Sequence, residues 1–126
     1  MTSLNIQATD RTPEISIEGS PPRMRISGES FPEDVAAFYG PVVFAVESLV
    51  DSLTERLHVE INLAYVNSSS IKALYRIFEG ISEIHSKNLL ESITWFYPDD
   101  DDILQELGED FKDRFPDLPF QIEITA

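Results

Sequence analysis

Three adjacent serines, Ser68, Ser69 and Ser70, are the residues of this sequence best suited to chemistry. An alternating apolar segment over residues 57–66 predicts a strand before them, and apolar residues at helical spacing from Ile71 predict a helix directly after them. The hydroxyls would then lie at a helix N-terminus, where backbone N–H groups are unpaired and the dipole favours negative charge. A serine at such a turn can carry a phosphate that another protein reads.

The same turn also has a purely structural interpretation. Asn67 or Ser68 can cap the predicted helix, since both residue types are preferred at that position. A run of small hydroxyl residues exceeds what one cap requires, but the pattern alone leaves a phosphorylation switch and a simple cap both open.

The side chains that would support nucleophilic catalysis do not converge on the serine turn. His58 begins the preceding strand, roughly 26 Å from the serines at the rise of a strand. His85 lies near the end of the following helix, where it more naturally complements the C-terminus. The sequence contains no nucleophile elbow and no phosphate-binding glycine loop. We therefore predict that the protein is not an enzyme and needs no cofactor.

An acidic run, Asp99–Asp102, is the one segment that suggests a hard-cation site. It lacks the alternating ligand spacing and the central glycine of a calcium loop. An aspartate N-cap followed by acids in the first helical turn complements the helix dipole equally well. We favour a solvated helix start and predict no metal site.

The predicted elements follow the order β-β-α-β-α-β-α-β. Glu14–Glu18 and Arg23–Ser27 alternate around a Gly/Pro turn and predict a hairpin. Ser30–Glu33 resembles a capping box, but Gly40-Pro41 predicts a break, with the first long helix restarting near Pro41. The other predicted elements are strands 57–66, 90–97 and 119–125 and helices 69–86 and 100–114, the last with Ile103, Leu104, Leu107 and Phe111 on its apolar stripe.

The placement of helices between strands implies parallel crossovers, which are almost always right-handed. Nearly every strand alternates, whereas a parallel sheet buried on both faces would show continuous apolar strands. The sequence therefore predicts an α/β two-layer sandwich, in which a mixed five-stranded sheet carries three helices mainly on one face. At 126 residues the chain is expected to form a single domain over residues 1–126.

The composition narrows the class of partner. With 9 basic and 23 acidic residues the net charge is −14, which repels nucleic acid and anionic membrane and suits partners with basic surfaces. There is no cysteine, the N-terminus lacks signal-peptide features, and no apolar run approaches the roughly 20 residues of a membrane span. We expect a soluble cytoplasmic protein without nucleic-acid or membrane partners.

Several sequence blocks, in the same order, resemble the SiaC-type regulatory phosphoproteins, a bacterial partner-switch family. The resemblance covers nearly the whole chain, and no single block is diagnostic. The blocks are Thr12-Pro13, I-S-G-x-S-x-P-E-D at Ile26–Asp34 with Phe38-Tyr39 after it, Y-V-N-S-S-S-I-K at Tyr65–Lys72, T-W-F-Y-P-D-D-D-D at Thr94–Asp102, and P-F-Q-I at Pro119–Ile122.

The resemblance implies a role for the serine turn. In this family the phosphoacceptor follows the asparagine of the Y-x-N block, which places it at Ser68, with Ser69 and Ser70 as weaker candidates. The family often has threonine there, so Ser68 is a conservative departure. The partner-binding residues implied are Asn67, Lys72 and the three serines. The fold implied is similar to that of anti-sigma-factor antagonists.

The resemblance also implies a signalling cycle. A serine/threonine kinase modifies the protein, a PP2C-like phosphatase restores it, and the unmodified form binds and activates a diguanylate cyclase, which tunes cyclic-di-GMP and surface attachment. Two alternatives remain open: an anti-anti-sigma-like antagonist acting on a kinase or another effector, and a small metal-dependent enzyme using Asp99–Asp102.

Overall fold

A computed structural model describes residues 3–125 of the chain. The domain predicted over residues 1–126 also includes Met1, Thr2 and Ala126, which lie outside the described residues. The elements are β1 (Leu4–Ile6), β2 (Glu14–Glu18), β3 (Arg23–Ser30), α1 (Val35–Ser52), β4 (Leu57–Val66), α2 (Ser68–Ser86), β5 (Leu90–Tyr97), α3 (Asp102–Arg114) and β6 (Phe120–Ile124).

The strands form one mixed sheet in the order β1-β2-β3-β4-β5-β6. The first two pairings are antiparallel, and the pairings from β3 to β6 are parallel because a helix separates each of those strands from the next. The predicted mixed α/β sheet with three helices is confirmed. The strand count was wrong by one, since β1 is only three residues long and too short to show an alternating pattern.

Alternation along the strands gives the sheet one buried and one polar face. Ile15, Ile26, Ile61 and Trp95 lie in one row across four strands and are buried under the helices. On the opposite face, Glu60 forms ion pairs with Arg23 and Arg25 of the neighbouring strand. Exposed ion pairs of this kind contribute little to stability, so the apolar row on the other face determines which side the helices cover.

Helix α1 differs from the sequence prediction at its start. It runs without a break from Val35 to Ser52 through Pro41, and Asp34, not Ser30, is the N-cap, accepting a hydrogen bond from Ala37 N–H at 3.0 Å. A proline inside a helix removes one backbone hydrogen bond. Residues buried on both sides of the proline keep the helix continuous, because tertiary burial outweighs local propensity.

The continuity of α1 also changes one conclusion drawn from the sequence. Undivided, α1 is long and apolar enough to cross a membrane by length and composition alone, although no such run was expected. In the fold, however, its apolar stripe, which includes Val42, Val46 and Leu49, lies in the core between the sheet and α2. Core packing therefore accounts for the apolar residues on the buried stripe of α1.

In helix α3, one residue of the predicted apolar stripe is not buried. Ile103, expected on the apolar stripe, is 79% exposed, while Leu104 and Phe111 are buried. Asp101 caps the helix by accepting a hydrogen bond from Leu104 N–H at 3.0 Å, so the interpretation of this acidic run as a helix start is confirmed.

Candidate phosphorylation turn and partner surface

The turn between β4 and α2 is held by hydrogen bonds on both sides. Asn67 N–H donates to the carbonyl of Ser30 at the end of β3, at 3.0 Å. The Asn67 side chain accepts a hydrogen bond from Ser70 N–H at 2.9 Å and is therefore the N-cap of α2. This decides between the two capping residues that the sequence left open. Since Asn67 caps the helix, the Ser68 hydroxyl is not needed for that purpose.

The three serines occupy three different environments. Ser68 is the first residue of α2 and is exposed, as expected for a modifiable side chain. Ser69 is also exposed, and it lies beside α1. Ser70 is 0% exposed. An enzyme therefore has no access to the Ser70 hydroxyl in this conformation, and a partner cannot touch it, which leaves Ser68 and Ser69 as the accessible hydroxyls.

Ser70 belongs to a buried cluster of three hydroxyls that the sequence analysis missed. The Ser30 hydroxyl lies 2.6 Å from the Tyr39 hydroxyl and donates to the Ser70 hydroxyl at 2.9 Å. Burial raises the pKa of the Tyr39 phenol, although its hydrogen bonds to Ser30 and Ser70 partly oppose that rise. Tyr39 therefore stays protonated at neutral pH and ties α1 to the ends of β3 and α2.

Next to the turn, a groove opens between the first turns of α1 and α2. Its volume is about 350 Å³, and it is lined by both apolar and cationic side chains. Lys72 and Arg76 contribute the positive charge, and neither forms an ion pair with any residue between 3 and 125. The candidate Lys72 therefore lies on the surface beside Ser68 and Ser69 with its charge unneutralised by a neighbouring carboxylate.

The sequence and the fold both match known proteins. Residues 6–125 match the family of proteins described as "SiaC family regulatory phosphoprotein". The uncharacterized protein PA14_02130 of Pseudomonas aeruginosa (strain UCBPP-PA14) is 31% identical over 123 residues, which cover 98% of this chain and 97% of that protein. This chain belongs to the SiaC family of regulatory phosphoproteins.

Solved structures of SiaC from Pseudomonas aeruginosa share the fold over the whole length of this family member. Apo-SiaC is 32% identical with a TM-score of 0.82, and all of both chains is covered. A chain in the crystal structure of the diguanylate cyclase SiaD in complex with its activator SiaC is 30% identical with a TM-score of 0.88, covering 97% of this chain and 99% of that chain.

The other candidate chemistries remain apart from the turn in this SiaC-family fold. His85 is in the last turn of α2, the end opposite Ser68, and His58 is in β4 on the polar face of the sheet. Among residues 3–125, no group of three or more acidic or histidine side chains is arranged to hold a metal ion. The structure thus brings Asn67, Ser68, Ser69 and Lys72 together on one surface and leaves the histidines elsewhere.

The sequence contained a signal for the buried hydroxyl cluster, but it was interpreted differently. Ser30 is the first residue of the apparent capping box and is predicted at the start of a helix, although it is the last residue of β3. Only the tertiary structure brings Ser30 to Ser70, 40 positions away in sequence.

Proposed function

We propose that this SiaC-family protein is a non-enzymatic cytoplasmic switch that activates a diguanylate cyclase when unphosphorylated. Phosphorylation of Ser68 by a serine/threonine kinase releases the cyclase, and a PP2C-like phosphatase reverses the modification. The output is a change in cyclic-di-GMP and thereby in surface attachment. Ser68 is the preferred acceptor and Ser69 the second.

The observation that carries this proposal is the exposure of Ser68 at the first residue of α2, with the capping role already filled by Asn67. A side chain that neither caps nor packs can be modified without loss of the fold. The complex of the relative SiaC with the diguanylate cyclase that it activates supports the choice of partner.

The charge of a phosphate explains how the switch would work. A phosphoserine adds about −1.5 to −2 charges and three acceptor oxygens. At the N-terminus of α2 this charge meets the positive end of the helix dipole, and Lys72 lies one turn away, so the fold tolerates it. Buried in an interface without a cation from the partner, the same group is costly. Phosphorylation would therefore weaken the complex and leave the protein folded.

The test combines phosphosite mapping with cyclase assays. Protein isolated from its native cells is mapped by intact mass and peptide analysis, and the cyclase of the same cells is assayed with parent, Ser68→Ala, Ser68→Asp and the matched Ser69→Ala and Ser69→Asp variants. We expect phosphate on Ser68, full activation by Ser68→Ala, and binding weakened about tenfold, or 1.4 kcal/mol, by Ser68→Asp.

Each alternative has its own signature in this experiment. Phosphate on Ser69, together with a Ser68→Asp variant that binds as tightly as the parent, would move the acceptor by one residue. A parent protein that neither binds nor activates the cyclase would overturn the choice of partner. Co-purification of a sigma-controlling kinase would instead support the antagonist alternative.

A further inference from the structure

The open face of the sheet, opposite the helices, carries an aromatic side chain where β4 approaches the serine turn. The register of β3 and β4 shifts there by one residue, because Gly28 pairs with Leu63 but Glu29 pairs with Tyr65. Ala64 is the extra residue of this bulge. A bulge changes the face to which the following side chains point. Tyr65 therefore lies on the open face, although continued alternation from Leu63 would have buried it.

The contacts around Tyr65 agree with this orientation. Ser30, which follows the residue paired with Tyr65, directs its hydroxyl to Tyr39 and Ser70 on the helix side. Successive side chains of a strand point to opposite faces, so Tyr65 and its pairing partner lie on the other side. Tyr65 is 50% exposed and packs against Phe31 edge to face, with 5.6 Å between the ring centroids.

A third ring extends this surface onto β5. Phe96 pairs with Asn62 of β4 and is partly exposed. The residue before it, Trp95, is buried under the helices, so alternation places Phe96 on the open face. Aromatic side chains are enriched where proteins bind one another. Three rings on the uncovered side of the sheet therefore indicate an interaction surface.

Carboxylates without a cationic partner flank these rings. Glu29 lies opposite Tyr65 on the neighbouring strand, and Glu123 lies opposite Phe96. Neither carboxylate forms an ion pair with any residue between 3 and 125. We refer to the three rings and these two carboxylates as the open-face patch.

The charges near the start of the strands differ from those of the patch. Both arginines of β3 form ion pairs with Glu60 on the same face. Arg11 lies close to the patch, since its carbonyl accepts a hydrogen bond from Phe31 N–H, but it forms no ion pair with Glu29 or Glu123. A ring beside a free carboxylate suits an arginine or lysine of a partner, which stacks on the ring and pairs with the acid.

We propose that the open-face patch is the docking surface for an arginine- or lysine-bearing segment of the PP2C-like phosphatase, an inference that rests on the proposed function above. Of the partners in that cycle, only the phosphatase must bind the phosphorylated form as its substrate. A phosphate is the same on every phosphoserine, so the phosphatase must recognise this protein through a surface that phosphorylation leaves unchanged. The patch meets this requirement because it lies on the face opposite α2.

The patch is also close enough to the phosphate for one enzyme to contact both. Tyr65 precedes Ser68 by three residues, which span at most about 11 Å of extended chain. The hydrogen bond from Asn67 N–H to the Ser30 carbonyl fixes the turn to the end of β3. A phosphatase seated on the patch therefore reaches the phosphate around the edge of the sheet.

Dephosphorylation kinetics with the phosphatase of the same cells test the proposal. Phosphoserine is incorporated at position 68 during translation, so that the substrate does not depend on the kinase. We expect Tyr65→Ala combined with Glu29→Arg to lower kcat/KM at least about tenfold, or 1.4 kcal/mol, mainly through KM because these residues do not touch the phosphate. Glu18→Arg in β2 reverses one charge on the same face away from the patch and should keep the kcat/KM of the parent.

Two further measurements separate docking from a loss of folding. Glu29→Arg alone changes only an exposed side chain, and it should lower kcat/KM in the same direction. The unphosphorylated double variant should activate the cyclase as the parent does, which also shows that it is folded.

The outcomes distinguish this proposal from the proposed function. If the double variant is dephosphorylated with the kcat/KM of the parent, the patch is not the docking surface and the proposed function stands. If it is dephosphorylated normally but no longer activates the cyclase, the patch belongs to the cyclase and the phosphatase proposal is overturned. If the phosphatase does not act on the phosphorylated parent, the proposed cycle fails as well.

Discussion

Helix α2 is held by two different kinds of interaction at two different places. Along its middle, Phe78 packs against Phe111 of α3 at 4.7 Å and against Phe120 of β6 at 5.6 Å between ring centroids. At its first turn, the contacts are hydrogen bonds among the hydroxyls of Ser30, Tyr39 and Ser70. We refer to these two regions as the aromatic cluster and the hydroxyl cluster.

The difference matters because the two kinds of interaction fail differently. Aromatic rings bury large areas without directional requirements, so the aromatic cluster carries much of the stability. Hydrogen bonds contribute less in net free energy, but they fix positions, and a missing partner is costly. The hydroxyl cluster therefore places the first turn of α2 precisely while leaving Ser68 outside the core. The serine proposed to accept a phosphate is thus exposed, at a position where the fold does not depend on its burial.

The largest effect is expected from breaking the aromatic cluster. Phe111→Ala removes a ring that contacts Tyr75, Phe78 and Trp95, and it should cost about 3–5 kcal/mol of unfolding free energy. Ile103→Ala on the same helix is the control, since Ile103 is largely exposed and should change stability by less than about 0.5 kcal/mol. Urea denaturation of both variants measures the difference, and equal losses would contradict the comparison.

A second prediction concerns the close approach of α3 to the sheet. A Cβ on Gly108 would lie 2.5 Å from Trp95 Cδ1, so Gly108→Ala must displace the indole, which donates a hydrogen bond to the Leu104 carbonyl at 3.0 Å. We expect a loss of about 1–3 kcal/mol from this overpacking. Gly40→Ala on α1 meets no atom within 4 Å and should be stabilising by up to about 1 kcal/mol. Thermal melting compares the two, and stabilisation by Gly108→Ala would refute the packing argument.

The sequence predicted most of the architecture because alternating and helical periodicities are long-range consequences of burial. The strand before Ser68 and the helix after it were assigned within a residue or two of β4 and α2. The errors fell where local signals conflict with packing. The Gly40-Pro41 pair predicts a break, although core residues on both sides keep α1 continuous. Ile103 matched the helical stripe in sequence but faces solvent.

The candidate site was predictable only in part, for a related reason. The serine turn can be found from the junction of two periodic patterns. Which serine is buried depends on Ser30 and Tyr39. The groove between α1 and α2 depends on how these two helices pack, which no local pattern specifies. Contacts between residues distant in sequence therefore distinguish Ser70 from its neighbours.

A smaller effect is expected from weakening the hydroxyl cluster. Tyr39→Phe keeps the ring and removes one hydroxyl, while Ser30 retains its bond to Ser70, so the loss should be about 0.5–1.5 kcal/mol. Tyr65→Phe is the control, because Tyr65 is half exposed and packs through its ring against Phe31. Chemical denaturation at pH 7 should show a loss for Tyr39→Phe alone. Equal stability of the two variants would show that the Tyr39 hydroxyl contributes nothing to stability.

Tyr39 also predicts that the stability of the fold depends on pH in the alkaline range. Burial raises the pKa of Tyr39 in the folded protein above its value in the unfolded chain. The folded state then holds its proton at a pH where the unfolded state has lost it, so stability declines as pH rises above about 10, the ordinary tyrosine pKa. In Tyr39→Phe this part of the decline should be missing. Denaturation midpoints of the parent and of Tyr39→Phe, measured between pH 8 and 11, test this difference. If the midpoints of both proteins fell equally with pH, ionisation of Tyr39 would not be the cause of the decline.

The smallest effect on stability is expected at the site proposed to carry the switch. Ser68→Asp places a carboxylate at the first residue of α2, where the dipole favours it by about 0.3–1 kcal/mol. Asn67 continues to cap the helix in this variant, so the fold loses nothing in exchange. We therefore expect a melting temperature equal to or slightly above that of the parent.

Ser70→Asp is the matched contrast, because it places the same charge among the buried hydroxyls. Burial of an unpaired carboxylate is expensive, so Ser70→Asp should be strongly destabilised or unfolded. Thermal melts of the two variants, followed by circular dichroism, compare the stability cost of a carboxylate at positions 68 and 70. If Ser68→Asp melted as low as Ser70→Asp, any loss of cyclase binding at position 68 would reflect unfolding, and the surface could not act as a switch that leaves the protein intact.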